Sequence, residues 1–410
     1  MTTVEHQTKS SSSSWQILIY LIMIGFTFIS MPKNEMTYLV SRAIQAIELL
    51  FFIILFVQFS KRPQRLNRFN MSVNLWWFLY TLLTYLFVAG VGLTPCFRWL
   101  NVVIFLLLGS CYWKENFEDS LKYIAHAFSF LIYLNAILLI LFPEGLWFDT
   151  EWVGRGDATR YLFGNYNQIG FVCLLGITTQ AMYTLSTKQG KFNLILLIVI
   201  SLASVIGVGS MTSTVGLTIL AGYILIHKRI KRPRIYLWIF LTLYIAFFYI
   251  FIWYSTSIEE VQLITKFIEG TLSKDSSFSG RTNIWANAVA KIQENPWIGY
   301  GVQTTEWNDR FLEGSGPHNL WLMLLLQGGW ILCISFIIIL VILIHKALKA
   351  QNTTSTIGVV SLCVLFIMSL FETYFIAQIF LVLQFLYYAS HMSNPNIIAK
   401  ETNNSQVINI

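Results

Sequence analysis

Long apolar segments, separated by shorter polar ones, run through almost the whole chain of 410 residues. A membrane-spanning helix needs about 20 predominantly apolar residues, so the pattern predicts an all-α polytopic membrane protein with about twelve spans. The predicted spans are 15–31, 37–59, 74–93, 97–113, 120–143, 168–186, 192–209, 213–228, 235–255, 319–344, 355–371 and 374–390. The last two divide one long apolar run near Glu372, where a charge interrupts it.

Lys and Arg residues concentrate in the segments that follow the even-numbered spans. The two richest segments follow spans 2 and 8, with Lys61, Arg62, Arg65 and Arg68 in the first and Lys228, Arg229, Lys231, Arg232 and Arg234 in the second. Cytoplasmic loops carry an excess of basic residues, so these segments and both chain termini are predicted to face the cytoplasm. The segment after span 4 is mixed, since Lys114 and Lys122 stand beside acidic residues, but acidic residues count little in this rule.

The spans and the charge pattern divide the chain into regions. Residues 1–14 are polar and rich in serine, and they are predicted to form a disordered cytoplasmic N-terminus. The other regions are spans 1–9 over 15–255 with an outer loop at 144–167, a large extracytoplasmic loop over 256–318, spans 10–12 over 319–390, and a cytoplasmic tail over 391–410. The loop over 256–318 is the main place where such an apolar chain can carry out polar chemistry.

Composition narrows the class of protein further. The chain is 56% hydrophobic and 11% charged, whereas a soluble domain carries about 25% charged residues. The net charge of +7 is explained by the basic loops, so nucleic acid is not predicted as a partner. The five cysteines form no CxxC pair, and neither a metal site nor a disulfide framework is predicted. No GxxxxGK[ST], HExxH or GxSxG motif occurs, and no cofactor is predicted.

The stretch from 279 to 330 interrupts the apolar pattern. One face of a helix is predicted from apolar residues at helical spacing, which are Ile284, Trp285, Ala288, Val289 and Ile292. Ser279 is predicted to cap the start of this helix, because a side-chain oxygen can accept a hydrogen bond from a free amide there. Pro296 ends the helix, and Gly299 and Gly301 permit a tight turn after it.

Three pieces follow one another in this stretch. They are GRTNIW from Gly280, NPWIGYG from Asn295, and HNLWL from His318, which is followed by a glycine pair. No single piece is specific, but their order in one loop between membrane spans resembles the O-antigen ligase and O-antigen polymerase family of membrane glycosyltransferases. The resemblance covers this C-terminal segment best. It implies a fold of the GT-C type with a catalytic loop before the tenth span.

His318 is the first candidate for catalysis, as a general base. An imidazole can take a proton from a sugar hydroxyl near neutral pH. The position of His318 at the start of an apolar helix also suits a capping residue, and spacing alone favours capping over catalysis. The resemblance implies the catalytic role, because the family requires a histidine here for transfer. Asn319 is predicted to support His318 by holding the ring or the incoming hydroxyl through a hydrogen bond.

Two arginines are candidates for binding a substrate pyrophosphate. Arginine offers a planar fork of donors that suits phosphate oxygens, although a lone loop arginine is by default a solvated surface residue. Arg281 stands where the resemblance implies an arginine of the family. Arg160 precedes GNYN, which resembles the GNPN turn of the family with Tyr166 in place of proline, and Arg155 competes with it for this assignment. The turn residues themselves are predicted to be capping residues.

Four further charged residues lie within or at the ends of predicted spans. Charges inside a bilayer are costly and normally face a bundle interior or a water-filled cavity. Arg42 and Arg98 are predicted near the outer surface, where they could contact lipid pyrophosphate, and Glu48 could instead form a structural ion pair with Arg42. Glu372 also falls on the outer side, where it either orients a substrate or marks a turn.

The resemblance implies a metal-independent glycosyltransferase that needs no cofactor. Its donor would be a polyprenyl-pyrophosphate-linked glycan, polymerised on the outer face of the bacterial cytoplasmic (inner) membrane into O-antigen, capsule or exopolysaccharide. The alternative is an O-antigen ligase that moves the glycan onto lipid A-core, and a flippase for lipid-linked glycans is a more distant alternative that a twelve-span chain also fits. Implied partners are the donor, a glycan or lipid-linked acceptor, membrane lipids and other polysaccharide-assembly proteins. A scaffold subunit of such an assembly is the remaining alternative.

Overall fold

The computed structural model describes the chain in eleven stretches. These are residues 24–25, 27–30, 35–61, 67–89, 92–148, 159–230, 233–253, 277–313, 316–350, 352–374 and 376–391. The predicted disordered N-terminus, most of the first span, the middle of the 144–167 loop with Arg155, and the first part of the 256–318 loop lie outside the described residues.

Almost all of the described chain is α-helical. The helices are α1 (Glu35–Ser60), α2 (Arg68–Phe87), α3 (Thr94–Leu108), α4 (Lys114–Leu141), α5 (Tyr166–Thr187), α6 (Lys191–Gly207), α7 (Met211–Ile226), α8 (Pro233–Phe247), α9 (Ser277–Glu294), α10 (Thr305–Leu312), α11 (Leu320–Ala350), α12 (Thr353–Ser369) and α13 (Ile376–Ala389). Short π-helical turns follow α3 (Gly109–Trp113) and α8 (Phe248–Trp253), and a 3₁₀ turn follows α7 (His227–Arg229). Two short strands, β1 (Trp147–Phe148) and β2 (Thr159–Arg160), pair antiparallel.

In the part of the chain that the structure describes, six helical segments are long and apolar enough to cross a membrane. They are Arg42–Ser60, Thr94–Trp113, Phe117–Leu141, Tyr166–Thr187, Arg234–Trp253 and Leu320–Ala350. Three more helices, α6, α12 and α13, are apolar but shorter. The prediction of an all-α polytopic membrane protein is thus confirmed, while the number of twelve spans stays a prediction.

The centre of the bundle is formed by α5, α12 and α13. Side chains around the whole circumference of α5 are buried, from Asn167 to Thr184, and the same holds for α13. A helix that is apolar on all sides lies inside a protein or in a membrane, and the burial of α5 and α13 by neighbouring helices places both inside the bundle. The outer helices α1 and α8 instead expose large apolar side chains such as Leu50 and Trp238, as helices in contact with lipid do.

Two boundaries differ from the predicted spans. The polar residues 114–119, predicted as a loop between spans 4 and 5, are helical, so the chain continues from α3 through the π turn into α4. Lys and Glu are good helix formers, which favours this continuation. The third span, predicted at 74–93, is instead α2, which starts earlier because the Asn67 side chain caps it by accepting a hydrogen bond from the Asn70 amide at 2.8 Å.

The tenth span, predicted as one helix over 319–344, is broken at Gly329. This residue has φ 60° and ψ −162°, outside the helical region. The rings of Trp321 and Phe336 lie 6.0 Å apart, whereas 15 residues of straight helix would separate them by about 22 Å. The first part of α11 therefore folds back against the second part, and the start of α11 is held inside the bundle.

Two backbone segments, 296–301 and 326–331, form a clamp that fixes this break. Four main-chain hydrogen bonds join them, from Tyr300 to Leu326 (2.7 Å), from Gly301 to Gln327 (3.0 Å), from Trp330 to Pro296 (2.8 Å) and from Ile331 to Trp297 (3.2 Å). A Cβ atom at Gly299 would lie 2.5 Å from the Leu326 carbonyl oxygen, and one at Gly329 would overlap the Trp297 carbonyl. The NPWIGYG and QGG pieces of the sequence are thus the two halves of one backbone contact.

Candidate functional site

Helix α9 carries Arg281 and packs on the bundle through the predicted face. Trp285, Ala288, Val289 and Ile292 are all buried, and Ile284 packs partly buried against the same core. The helix begins at Ser277, so Ser279 lies within its first turn and the prediction of an N-cap at Ser279 was wrong. Burial of this face fixes the position of α9 and with it the position of Arg281.

Trp285 connects α9 to the two other segments of the site. Its indole Nε1 donates a hydrogen bond to the Pro317 carbonyl at 3.0 Å, and its ring centroid lies 6.3 Å from that of Phe371. A buried indole N–H needs such a partner, and the large ring contributes apolar contact area. The residues that flank Pro317 and Phe371 are thereby brought next to Arg281.

Asn319 caps the start of α11. Its Oδ1 accepts hydrogen bonds from the amides of Trp321 (2.9 Å) and Leu322 (3.0 Å). Its Nδ2 donates to the Leu370 carbonyl at 3.0 Å, and the residue is fully buried. These contacts make Asn319 a positioning residue, because it ties the start of α11 to the turn after α12 and so fixes the neighbouring His318.

Arg281 and Glu372 form a partly buried ion pair. Nη2 of Arg281 lies 2.7 Å from Oε1 of Glu372, and the side chains are 21% and 8% exposed. Nη1 of Arg281 donates a second hydrogen bond to the Phe371 carbonyl. A carboxylate this buried needs a cationic partner, so the guanidinium fork and the 371–372 turn stabilise each other.

The same carboxylate faces His318. Nδ1 of His318 lies 3.9 Å from Oε2 of Glu372, and the histidine side chain is 27% exposed. His318 has φ 44°, a left-handed conformation that is uncommon for a residue other than glycine. Such strain persists where the surroundings hold it, and it is frequent at functional sites. Glu372 therefore presents one oxygen to Arg281 and the other to His318.

The depth of this site follows from two neighbouring helices. Thr178 of α5 donates a hydrogen bond to Ser361 of α12 at 2.7 Å, so these residues lie at one level. From that level α12 rises about 12 Å to Ser369 and α5 rises about 18 Å to Tyr166, at 1.5 Å per residue. The turn with Glu372 thus lies roughly 6 Å below the start of α5, in a recess of the bundle.

A group of polar side chains lies between this recess and the 144–167 loop. Ser210 donates to Asn167 Oδ1 at 2.8 Å and lies 2.8 Å from the Ser213 hydroxyl. The buried Tyr374 hydroxyl has no hydrogen-bond partner of good geometry, and Ser213 and Glu372 are among the polar side chains around it. Buried polar side chains thus lie between the start of α5 and the Arg281–Glu372 pair.

Arg160 lies on the β ribbon just before α5. Its backbone pairs with Trp147, and its Nη1 donates to the Thr159 carbonyl at 3.2 Å. The capping prediction is confirmed for Asn165, which accepts a hydrogen bond from the Gln168 amide at 3.1 Å, whereas Asn167 lies inside α5 and accepts one from Ser210. Arg160 therefore lies at the same end of the bundle as Arg281. The hydrogen bonds described above for the recess join three other parts of the site, which are Arg281, Glu372 and the segment that carries His318.

The structure gives separate partners to the charged residues of α1 and α3. Arg42 is exposed and donates to Gln45 at 3.0 Å, and Glu48 is hydrogen bonded to Asn101. Arg98 lies against the buried Tyr80 hydroxyl. Both arginines lie toward the end of the bundle that carries the recess. The contacts named here are with other side chains of the bundle, Gln45 for Arg42 and Tyr80 for Arg98. Among the described residues, no group of three or more His, Cys, Asp or Glu side chains could hold a metal ion.

Glu372 is the functional candidate that sequence reasoning left undecided. Its signal was the presence of a single acidic residue between two apolar helices, since an ionisable residue at such a place is normally functional or paired. The partner could not be named, because Arg281 lies 91 residues earlier in the chain. Ser210, Ser213 and Tyr374 gave no sequence signal at all.

These features define a polytopic helical membrane protein with a recessed site that contains an arginine, a glutamate and a histidine. Residues 196–337 match the family model described as O-Antigen ligase. The match confirms the predicted resemblance to the O-antigen ligase and polymerase family for this segment of the chain. It includes Arg281, His318 and both halves of the backbone clamp, and it ends before Glu372. No curated protein matches the chain at a significant level.

Proposed function

We propose that this protein is a glycosyltransferase that polymerises polyprenyl-pyrophosphate-linked oligosaccharide repeat units. The family match supports activity of the ligase and polymerase type, and it gives no support to the flippase alternative. The observation that carries the proposal is the placement of Arg281 and His318 on the two oxygens of one buried carboxylate. Phosphate-binding and proton-accepting groups thereby share a single recess.

In the proposed reaction an acceptor hydroxyl attacks the anomeric carbon of the donor sugar. The new glycosidic C–O bond forms as the C–O bond to pyrophosphate breaks, and the pyrophosphate leaves with the electron pair. The hydroxyl proton passes to His318 as general base. Arg281 stabilises the negative charge that develops on the leaving group through its planar donor fork. The energy resides in the donor linkage, so the step consumes no nucleotide.

Glu372 has two parts in this proposal. Its Oε2 lies beside Nδ1 of His318, where it stabilises the imidazolium that forms when the ring takes the proton, as the carboxylate of a catalytic triad does. Its Oε1 holds the Arg281 guanidinium in place before the donor arrives. Arg160, on the β ribbon of the 144–167 loop, is proposed to bind the pyrophosphate as well. The supporting part of Arg42 and Arg98 stays a prediction.

The site is proposed to face outward from the cytoplasmic membrane. The end of the bundle opposite the recess carries the basic residues Lys61, Lys188, Lys191, Lys228, Arg229, Lys346 and Lys349. By the positive-inside rule that end is cytoplasmic. Reporter fusions after Asn67 and after Lys231 should read cytoplasmic, and a fusion at Gln303 should read external. A cytoplasmic reading at Gln303 would put the recess on the wrong side for this reaction.

The direct test uses purified protein in detergent with a lipid-linked repeat unit and no ATP. Chain elongation from repeat units alone identifies a polymerase. Transfer only after lipid A-core is added identifies a ligase, which would correct the acceptor and keep the chemistry. Arg310→Lys is a matched control for Arg281→Lys, because Arg310 is exposed in the same loop. No transfer to either acceptor would overturn the proposal.

A further inference from the structure

A cleft of about 270 Å³ lies between the end of α2 and the loop that follows the NPWIGYG turn. It is lined by Phe87, Val88, Ala89, Tyr300, Val302, Gln303, Thr304 and Trp307. The cleft is separate from the recess of Arg281, and none of the site residues discussed above lines it. Both are nevertheless at the same end of the bundle, because the clamp connects them.

The aromatic rings of the cleft are fixed in place. The Tyr300 hydroxyl donates to the Lys291 carbonyl at 3.0 Å, and the Tyr300 ring lies 5.4 Å from the ring of Trp307. Gly301 permits the close approach of this loop to α2, since a Cβ atom there would lie 3.0 Å from Thr84 Cα. The main chain at Tyr300 is also held to Leu326 by the clamp. The aromatic side of the cleft is therefore held in place by contacts within the chain itself.

The chemistry of the lining favours a neutral polar ligand. None of the lining residues carries a formal charge, so the cleft has nothing to neutralise a pyrophosphate. Aromatic faces offer contact to the C–H face of a sugar ring, and a few amide and hydroxyl groups can orient its hydroxyls. Gln303 uses its Nε2 on the Gly301 carbonyl at 2.7 Å, which leaves its Oε1 as an acceptor. The Thr304 hydroxyl caps α10 by accepting a hydrogen bond from the Trp307 amide at 3.2 Å, and its own proton can be donated.

The geometry points to a binding site in this cleft for a neutral sugar residue of the acceptor glycan, away from the hydroxyl that reacts. The inference rests on the proposed transferase function. The Tyr300 amide is hydrogen bonded to the Leu326 carbonyl. Leu326 lies six residues after the start of α11, so the cleft is about 9 Å along this helix from the segment of His318. A glycan bound at both places would span the cleft and the recess, so the site recognises an oligosaccharide and a monosaccharide acceptor gains nothing from it.

The test compares Trp307→Ala with Trp297→Ala in the full-length protein. Trp297 is an exposed tryptophan of the same loop that does not line the cleft, so its loss controls for the removal of a surface indole. Loss of ring stacking should raise the KM for acceptors of several repeat units about tenfold in Trp307→Ala. The kcat and the KM for a monosaccharide acceptor should stay unchanged, and Trp307→Phe should restore most of the affinity.

A second measurement does not depend on turnover. The probe is the oligosaccharide repeat released by mild acid from the host's own lipid-linked pool, and saturation-transfer NMR reports its contact with the protein. The signal should be strong in wild type and in Trp297→Ala and weak in Trp307→Ala. Gln303→Ala, which keeps the aromatic packing, should weaken it as well.

The outcomes separate this inference from the proposed function. Equal acceptor KM values and equal NMR signals in the two tryptophan variants would overturn the cleft as a sugar site while transfer continues. A wild-type protein that transfers no glycan would overturn the proposed function. An NMR signal lost in Trp307→Ala would still support sugar binding in the cleft in that case, and a signal unchanged by every lining variant would reject it.

Discussion

The guanidinium of Arg281 and the carboxylate of Glu372 meet at 2.7 Å although they lie 91 residues apart. One comes from a helix of the polar loop and the other from the turn between the last two helices. Their contact, and the histidine on the second carboxylate oxygen, join two segments that are unrelated in sequence into one site.

Glu372→Gln should lower the transfer rate about 10- to 100-fold, as expected for the loss of a hydrogen bond between charged groups. The amide keeps the volume but no longer offsets the charge on Arg281 or on a protonated His318. Transfer from lipid-linked donor should be measured at equal membrane levels. Glu372→Asp should recover part of the rate, and Glu294→Gln, in an exposed pair with Lys291, should be neutral. Full activity of Glu372→Gln would make the glutamate a simple turn residue.

Arg281→Lys should insert normally and lose most transfer. Lysine keeps the positive charge but cannot reach the Phe371 carbonyl and Glu372 with two parallel donors, nor engage two phosphate oxygens at once. The measurement is the initial rate at saturating acceptor with Arg310→Lys as the control. Near wild-type activity would show that only the charge matters at this position. The same order is expected at Arg160, with a smaller loss.

His318→Ala should lose about 10²- to 10⁴-fold in rate, the usual cost of removing a general base. Donor binding should survive, because the arginines hold the pyrophosphate. His227→Ala, at the opposite end of the bundle, is the control. A variant with wild-type rates would leave His318 as a helix-start residue.

Gly299→Ala should destabilise the protein by at least about 2 kcal/mol, from the left-handed conformation and the overpacked contact together. Gly299 has φ 63°, and a Cβ there would press on the Leu326 carbonyl. Gly222→Ala is the matched control, since a Cβ at Gly222 has no neighbour within 4 Å. Thermal unfolding in detergent should separate the two variants. Equal melting temperatures would mean that the clamp does not hold α11 in place.

The sequence predicted those features that depend on interactions between residues close together in the chain. The buried face of α9 with Trp285 follows from helical spacing of apolar residues, and the cap at Asn165 follows from its side chain. The start of α2 was missed because Asn67 caps a polar first turn that hydropathy alone excludes from a span. Hydropathy reports how apolar a segment is and is insensitive to where its first hydrogen bonds are made.

Long-range contacts decided the parts that could not be predicted. The break at Gly329 depends on the backbone of Pro296 and Trp297, which is more than 30 residues away in the chain. Glycine is common in membrane helices, so its presence alone does not indicate a break. The motif pieces indicated that the segment 279–330 matters, but the partner of Arg281 lay outside that segment, beyond the matched family domain.

The position of Glu372 also determines when the site is completed during synthesis. At about 5–20 residues per second, Arg281 leaves the ribosome roughly 5–18 s before the carboxylate that binds it. A chain that terminates after residue 337 but before residue 370 contains the arginine, the histidine and the whole segment that matches the family model, yet lacks the carboxylate between the two side chains. Premature termination near the C-terminus therefore leaves a long, membrane-inserted product without a finished site, and α12 and α13 serve as the last step of its assembly.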